Sequence, residues 1–185
     1  MIMKNKMNTI IKLMQKPYNY VPKIICNLLW DIFNISELKI AILYRNLYVN
    51  KFSENVGRNL FVGKFVSIKN IQNLSIGNDV SIHAYTYIDA FGQIKIGNDV
   101  SIANHSTLIS SDHIWTDDKI PIKFNQVEPK KIVIENDVWI AAGVRVLGGT
   151  TINKRNVIGA GAVVNKSTEE NSVYVGVPIK KVKEI

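Results

Sequence analysis

The sequence predicts a mainly β fold, a three-sided solenoid of about five rungs over residues 56–185, behind an N-terminal helical segment over 1–55. Three observations predict it. Branched apolar residues recur every six positions from Val56, and sets of three such residues repeat after eighteen or twenty residues. The segment before Val56 lacks that period and spaces its apolar residues as a helix does.

The sets read Val56, Val62 and Ile68; Ile76, Ile82 and Ile88; Ile96, Ile102 and Leu108; Ile134, Ile140 and Val146; Ile152, Ile158 and Val164. A period of six fits neither an isolated helix nor a plain strand, so it marks a turn after each short strand, and three turns close a triangle. Each rung then holds three branched side chains inside, stacked on their counterparts at the strand spacing of about 4.8 Å. From Ile76 to Ile96 the interval is twenty, which predicts a two-residue bulge at a corner. Gly57, Gly63, Gly77, Gly97 and Gly159 follow inward residues, which suits close approach of backbones. A second register, four positions after the inward residues, holds mostly small or β-branched side chains: Val66, Val80, Thr86, Val100, Ser106, Val138, Val144, Thr150 and Ala162.

Before the repeat, Ile40, Leu43, Tyr44, Leu47 and Tyr48 form the stripe of an amphipathic helix. The first rung has no neighbour on one side, so its apolar end needs a cap, and this stripe is expected to supply it. Lys4, Lys6, Lys12, Lys16 and Lys23 precede the first acidic residue, Asp31. Residues 4–23 are expected to have no structural duty, which leaves this basic N-terminus for peripheral contact with an anionic membrane. The longest apolar stretch, Val21 to Ile35, is broken by Lys23, Asn27 and Asp31 and cannot span a bilayer. No signal peptide is expected, for want of an apolar run and a small-residue cleavage site.

At 185 residues the chain makes one ordinary domain and buries roughly 70% of its unfolded surface. With 46% hydrophobic and 21% charged residues, disordered, collagen-like and disulfide-dense classes are excluded. A lone cysteine, Cys26, forms no intrachain bridge, which points to a reducing compartment, the cytoplasm. The net charge of +8 gathers at the two ends, with Lys180, Lys181 and Lys183 near the C-terminus. No RNA-binding signature or zinc-finger spacing accompanies these lysines, which argues against a nucleic-acid partner.

The repeat breaks once. After Leu108 the next inward residue should be Ile114, yet the register resumes at Ile132 and Ile134, so a loop over about 114–131 leaves the coil directly after His113. A histidine held by a rigid coil at the root of a covering loop is placed for general-base work, whereas a plain surface histidine needs no role.

The stretches IGNDVSIANHSTLISSDH, IENDVWIAAGVRVLGGTTI and NVIGAGAVV, with the ending VGVPIKKVKEI, resemble the hexapeptide-repeat acyltransferases. The resemblance covers residues 56–185 and implies a left-handed parallel β-helix. The order of His113, loop, VWI, GAGAVV and VGVP is similar to that of coenzyme A-dependent O-acetyltransferases acting on galactoside, maltose, nodulation factor, and capsule or lipopolysaccharide. It implies acetyl transfer from acetyl-CoA to a sugar hydroxyl, with a surface polysaccharide or its lipid-linked precursor as acceptor. It also implies a homotrimer in which the loop and histidine of one subunit meet the coenzyme site of the next. Xenobiotic, serine and sugar-nucleotide N-acetyltransferases of the same fold are the alternatives, and a non-catalytic binding solenoid is the reading from another class.

On this resemblance His113 takes the hydroxyl proton. Asp112, Asp89 and Asp117 are the candidates to orient its ring, although Asp112 stands where relatives have glycine. His83 lies near an asparagine position that binds acceptor or stabilises the oxyanion, and with Tyr85 is a candidate to bind acceptor, although as an ordinary strand residue it needs no role. Trp139 occupies the position of a tryptophan set against the pantetheine arm or the acceptor, where it would lie beside the loop, packing under the loop being the competing explanation. Ala141, Ala142, Gly159 and Ala160 match the strip along which coenzyme A lies. Lys166, Lys180 and Lys183 stand where the family places cations for the phosphates, here as point charges without arginine's fork. No metal is expected. The γ-class carbonic anhydrases share the fold, but their zinc histidines include a pair five apart, and His105 and His113 are eight apart.

Overall fold

The computed structural model describes residues 2–185, with side chains from Asn8 onward, so the side chains of Lys4 and Lys6 lie outside the described residues. Three helices come first: α1 (Ile2–Asn19), α2 (Lys23–Phe33) and α3 (Lys39–Phe52). The coil follows. Its first rung is β1 (Asn55–Val56), β2 (Phe61–Val62) and β3 (Ser67–Lys69); its second is β4 (Leu74–Ile76), β5 (Ser81–Ile82) and β6 (Tyr87–Asp89). The third rung is β7 (Ile94–Ile96), β8 (Val100–Ile102) and β9 (Thr107–Ile109), after which a hairpin of β10 (Ser111–His113) and β11 (Val127–Pro129) leaves the coil. β12 (Ile132–Ile134), β13 (Val138–Ile140) and β14 (Arg145–Leu147) make the fourth rung, and β15 (Thr151–Ile152), β16 (Asn156–Ile158) and β17 (Val163–Val164) the fifth. β18 (Ser172–Val175) adds one more parallel strand, on which β19 (Lys180–Glu184) folds back antiparallel.

Strands stack in parallel into three faces, β1-β4-β7-β12-β15, β2-β5-β8-β13-β16-β18 and β3-β6-β9-β14-β17. This is the expected left-handed β-helix. Inward residues stand in register one above another, as in Ile76, Ile96, Ile134 and Ile152, and from the second rung upward they are at most 2% exposed. Each such burial contributes about 1.5–3 kcal/mol.

The repeated Asn-Asp dipeptide explains the corner between the first and second faces. Asn78 Oδ1 accepts from Arg58 N at 3.0 Å, Asn98 Oδ1 from Asn78 N at 2.8 Å, and Asn136 Oδ1 from Asn98 N at 2.7 Å. These carboxamides satisfy amides that the turn takes out of the strand ladder. Asp79, Asp99 and Asp137 follow with φ of 58°, 57° and 58°, a left-handed conformation that Asp tolerates. Glycine precedes the first two dipeptides for steric reasons, Glu135 preceding the third: a Cβ on Gly77 would lie 2.6 Å from the carbonyl carbon of Gly97. The extra residues of the first two rungs fall at the corner between the third and first faces, in the turn Ile71–Asn73 and around Gly92.

Two expectations for the N-terminus do not hold. The stripe does not cap the coil with one continuous face: Ile40 is 54% exposed, and Leu43, Tyr44, Leu47 and Tyr48 pack onto α1 and α2 around Tyr18, Cys26 and Trp30. The opposite side of α3 covers the coil end, where Val49 joins the coil core and Arg45 reaches the second face. The helix is sandwiched, so both of its sides are buried and neither pattern reads alone. Residues 4–23 also have a structural duty. Tyr18 Oη donates to Tyr44 Oη at 2.8 Å, Lys51 Nζ donates to the Tyr18 carbonyl at 3.2 Å, and Asn59 N of the first rung donates to Asn8 Oδ1 at 3.2 Å. At the other end Tyr174 and Ile179 close the coil, 3% and 1% exposed.

Candidate active site

The excursion is an antiparallel hairpin rather than a loop beginning at 114. β10 already stands off the coil, His113 lies opposite Val127, and the root closes through Lys130 N donating to Ser110 O at 2.7 Å. His113 is exposed, and its imidazole makes no hydrogen bond within the described chain. A rigid backbone therefore presents a ring whose nitrogens are both free.

None of the three carboxylates named for it meets that ring. Asp112 pairs with Lys130 Nζ at 3.2 Å, which Glu128 also approaches at 3.4 Å; the two carboxylates raise the Lys130 ammonium above its ordinary value. Asp89 accepts from Asn70 Nδ2 at 2.8 Å and Phe91 N at 3.1 Å. Asp117 accepts from Lys119 N at 3.0 Å within its own turn.

Trp139 lies on β13, 52% exposed, with Ser101 and Val157 beside it in register. A shallow groove of about 300 Å³ runs there, lined also by Asp99, Asp137 and Arg155. The strip Ala141, Ala142, Gly159 and Ala160 occupies the neighbouring corner between the second and third faces. Ala141 N donates to Ile158 O and Gly161 N to Ala142 O, both at 2.9 Å, so the two rungs are in contact. Next to it, a Cβ on Gly161 would meet nothing within 4 Å, which leaves open space for a ligand chain.

The same corner carries a feature that the sequence reading missed in part. Phe65, Tyr85 and His105 stack face to face, with ring centroids 4.9 Å and 4.8 Å apart and planes inclined by 20° and 1°. All three have left-handed backbones, as do Gly143 and Gly161 above them. Each falls three residues after an inward residue of the second face, a spacing that would have grouped Phe65 and His105 with Tyr85. His83 stands apart, its ring 5.6 Å from that of Phe61.

The three lysines do not gather. Lys180 pairs in register with Val175 and Lys183 with Val173 on the closing strand of the second face, while Lys166 follows β17 at the far end of the third. Among the described residues, no group of three His, Cys, Asp or Glu side chains could hold a metal ion.

Within one chain the halves of the site are far apart in the topology. The hairpin leaves where the third face turns into the first, the corner opposite the second face, so Trp139 does not lie beside the loop root as expected. The imidazole stands at the edge between the third and first faces, the small-residue strip at the edge between the second and third, and the indole on the second face itself.

Residues 131–166 match the family model described as bacterial transferase hexapeptide (six repeats). An Escherichia coli K12 relative, assigned by name to lipopolysaccharide biosynthesis O-acetyl transfer, is 33% identical over 133 residues, 72% of this chain and 59% of its own length. The galactoside O-acetyltransferase of Lactococcus lactis is 51% identical over 49 residues, 26% of this chain and 24% of its own length. The chain thus spans about six tenths and about a quarter of these relatives. Among solved structures, a galactoside acetyltransferase in complex with coenzyme A superposes with a TM-score of 0.76 at 28% identity, over 88% of this chain and 80% of that one.

Proposed function

The chain belongs to the hexapeptide-repeat acyltransferases, and on that premise we propose that it moves an acetyl group from acetyl-CoA to a sugar hydroxyl, with His113 as general base. The observation that carries the proposal is the free imidazole on the hairpin, set across the prism from the exposed Trp139 and on a different edge from the strip at Ala141, Ala142, Gly159 and Ala160. In this reading a homotrimer completes each site: one subunit gives His113, and the next gives the indole and the strip along which the pantetheine arm lies. His83 and Tyr85 contact the acceptor, and Lys166, Lys180 and Lys183 approach the phosphates from different sides.

The chemistry needs no covalent nucleophile. The imidazole removes the acceptor hydroxyl proton as that oxygen bonds to the thioester carbonyl carbon. The tetrahedral adduct then expels the coenzyme thiolate, which takes the proton back from the imidazolium. The products are an O-acetyl ester and free coenzyme A, with His113 restored. A surface glycan such as capsule or lipopolysaccharide, or its lipid-linked precursor, is the acceptor we favour, which has the enzyme working from the cytoplasm at the inner face of the membrane.

Release of coenzyme thiol across a panel of sugars and native polysaccharides tests the assignment. A sugar-dependent release with a base-labile ester in the product is the expected result. Faster transfer to amines than to hydroxyls would move the chain to the N-acetyltransferases, and no thioester turnover with any acceptor would leave a binding solenoid.

A further inference from the structure

We propose that the outer face of α2 docks onto an anionic lipid bilayer. The proposal rests on the preceding reading for its purpose, a membrane-bound acceptor, and takes its evidence from a surface outside the site.

α2 is apolar on both sides. Its inner side packs Cys26, Leu29, Trp30 and Phe33 against α1 and α3. Its outer side carries Ile24, Leu28, Ile32 and, one turn on, Ile35, with exposures of 78%, 61%, 53% and 61%. Leu38 and Ile40 continue the row at 68% and 54%. Monomeric surfaces rarely hold so many adjacent aliphatic side chains without a partner.

Charge identifies the partner. Lys23 opens α2 and Lys39 opens α3; both are exposed, and neither has an ion-pair or hydrogen-bond partner among the described residues. The two acidic residues of this stretch turn to the coil. Asp31 lines the groove shared with Lys69 and the third face, and Glu37 lies 3.8 Å from the Arg45 guanidinium while accepting from Lys64 N at 3.2 Å. An aliphatic ridge with cations at its ends and its acids turned away fits an interfacial helix on anionic headgroups. The same ridge set against its copy on a second chain brings lysine against lysine, which disfavours a symmetric contact.

Flotation of the full chain with phosphatidylethanolamine–phosphatidylglycerol vesicles, without acetyl-CoA or acceptor, is the test. Binding is expected, weakening as salt rises and falling about tenfold or more in Leu28→Asn/Ile32→Asn and in Lys23→Ser/Lys39→Ser. All four side chains are exposed, so the variants should keep the thermal midpoint and particle size of the parent. Equal flotation with neutral phosphatidylcholine, no flotation, or unchanged binding in either double variant overturns the proposal. A smaller particle for Leu28→Asn/Ile32→Asn also overturns it and assigns the ridge to a subunit contact. A chain that floats as expected but transfers no acetyl group leaves the docking face standing and removes only the enzymatic reading.

Discussion

Arg45 Nε donates to the carbonyl oxygen of Val62 at 2.8 Å from a side chain with 0% exposure. Val62 belongs to the first rung, whose strands find no parallel neighbour below, so its carbonyl would be an orphan. The same guanidinium donates through Nη1 to Phe33 O and Ser36 O, both at 2.7 Å, and so ties coil, helix end and linker together. Arg45→Met keeps the volume and removes all three donors. It should lower unfolding stability by about 3 kcal/mol, the scale for stranded buried acceptors. Denaturant melts check this, and a loss below about 1 kcal/mol would mean that water replaces the guanidinium.

That cap marks the limit of what the residues disclosed. The coil was legible because its physics is periodic: every rung repeats one steric requirement, so Ile76, Ile96, Ile134 and Ile152 announce one another. α3 obeys no single period, because Leu43 and Leu47 answer to the helices while Val49 answers to the coil. The catalytic candidate was legible as a break in register, yet the hairpin that holds His113 was not. β10 and β11 pair through backbone hydrogen bonds, which leave no side-chain pattern. The partners of Asp89 and Asp112 were equally hidden, since Asn70 and Lys130 reach them only through the third dimension.

Tyr18 and Tyr44 should make the helical segment sensitive to alkali. Burial, first of all, raises both phenols, Tyr44 from 10.0 to about 12 and Tyr18 further. Both are under 9% exposed, and Tyr44 Oη donates to Cys26 O at 2.7 Å, a bond lost on ionisation. The folded state therefore holds these protons more tightly than the unfolded chain. The stability they contribute is complete below pH 10.0 and is lost as pH rises through the folded value near 12. For Tyr44 alone the loss is about 2–3 kcal/mol. Melting curves across this range should fall steeply for the parent and less for Tyr44→Phe; parallel curves would refute the linkage.

His113→Asn should lower turnover about a hundredfold or more while leaving acetyl-CoA binding nearly unchanged, the signature of a lost proton acceptor rather than a lost ligand contact. The side chain is exposed and makes no hydrogen bond within the described chain, so the melting temperature should not move. Steady-state kinetics with calorimetry of coenzyme binding separates the two effects. A variant with parental turnover would remove His113 from the mechanism.

Because the proposed site takes His113 from one subunit and the strip beside Trp139 from the next, two defective subunits should repair one another. One variant, His113→Ala, lacks the base; the other, Ala142→Trp, fills the strip next to Gly161, where open space now lies. Each alone should be nearly inactive. Unfolded together in equal amounts and refolded, they should form mixed assemblies, and in the proposed trimer an intact site needs a normal histidine from one subunit and a normal strip from the next. Random assembly makes about a quarter of the sites whole, so activity should return to about a quarter of the parental value. A site contained within one subunit predicts no recovery, because every chain in the mixture carries one of the two defects.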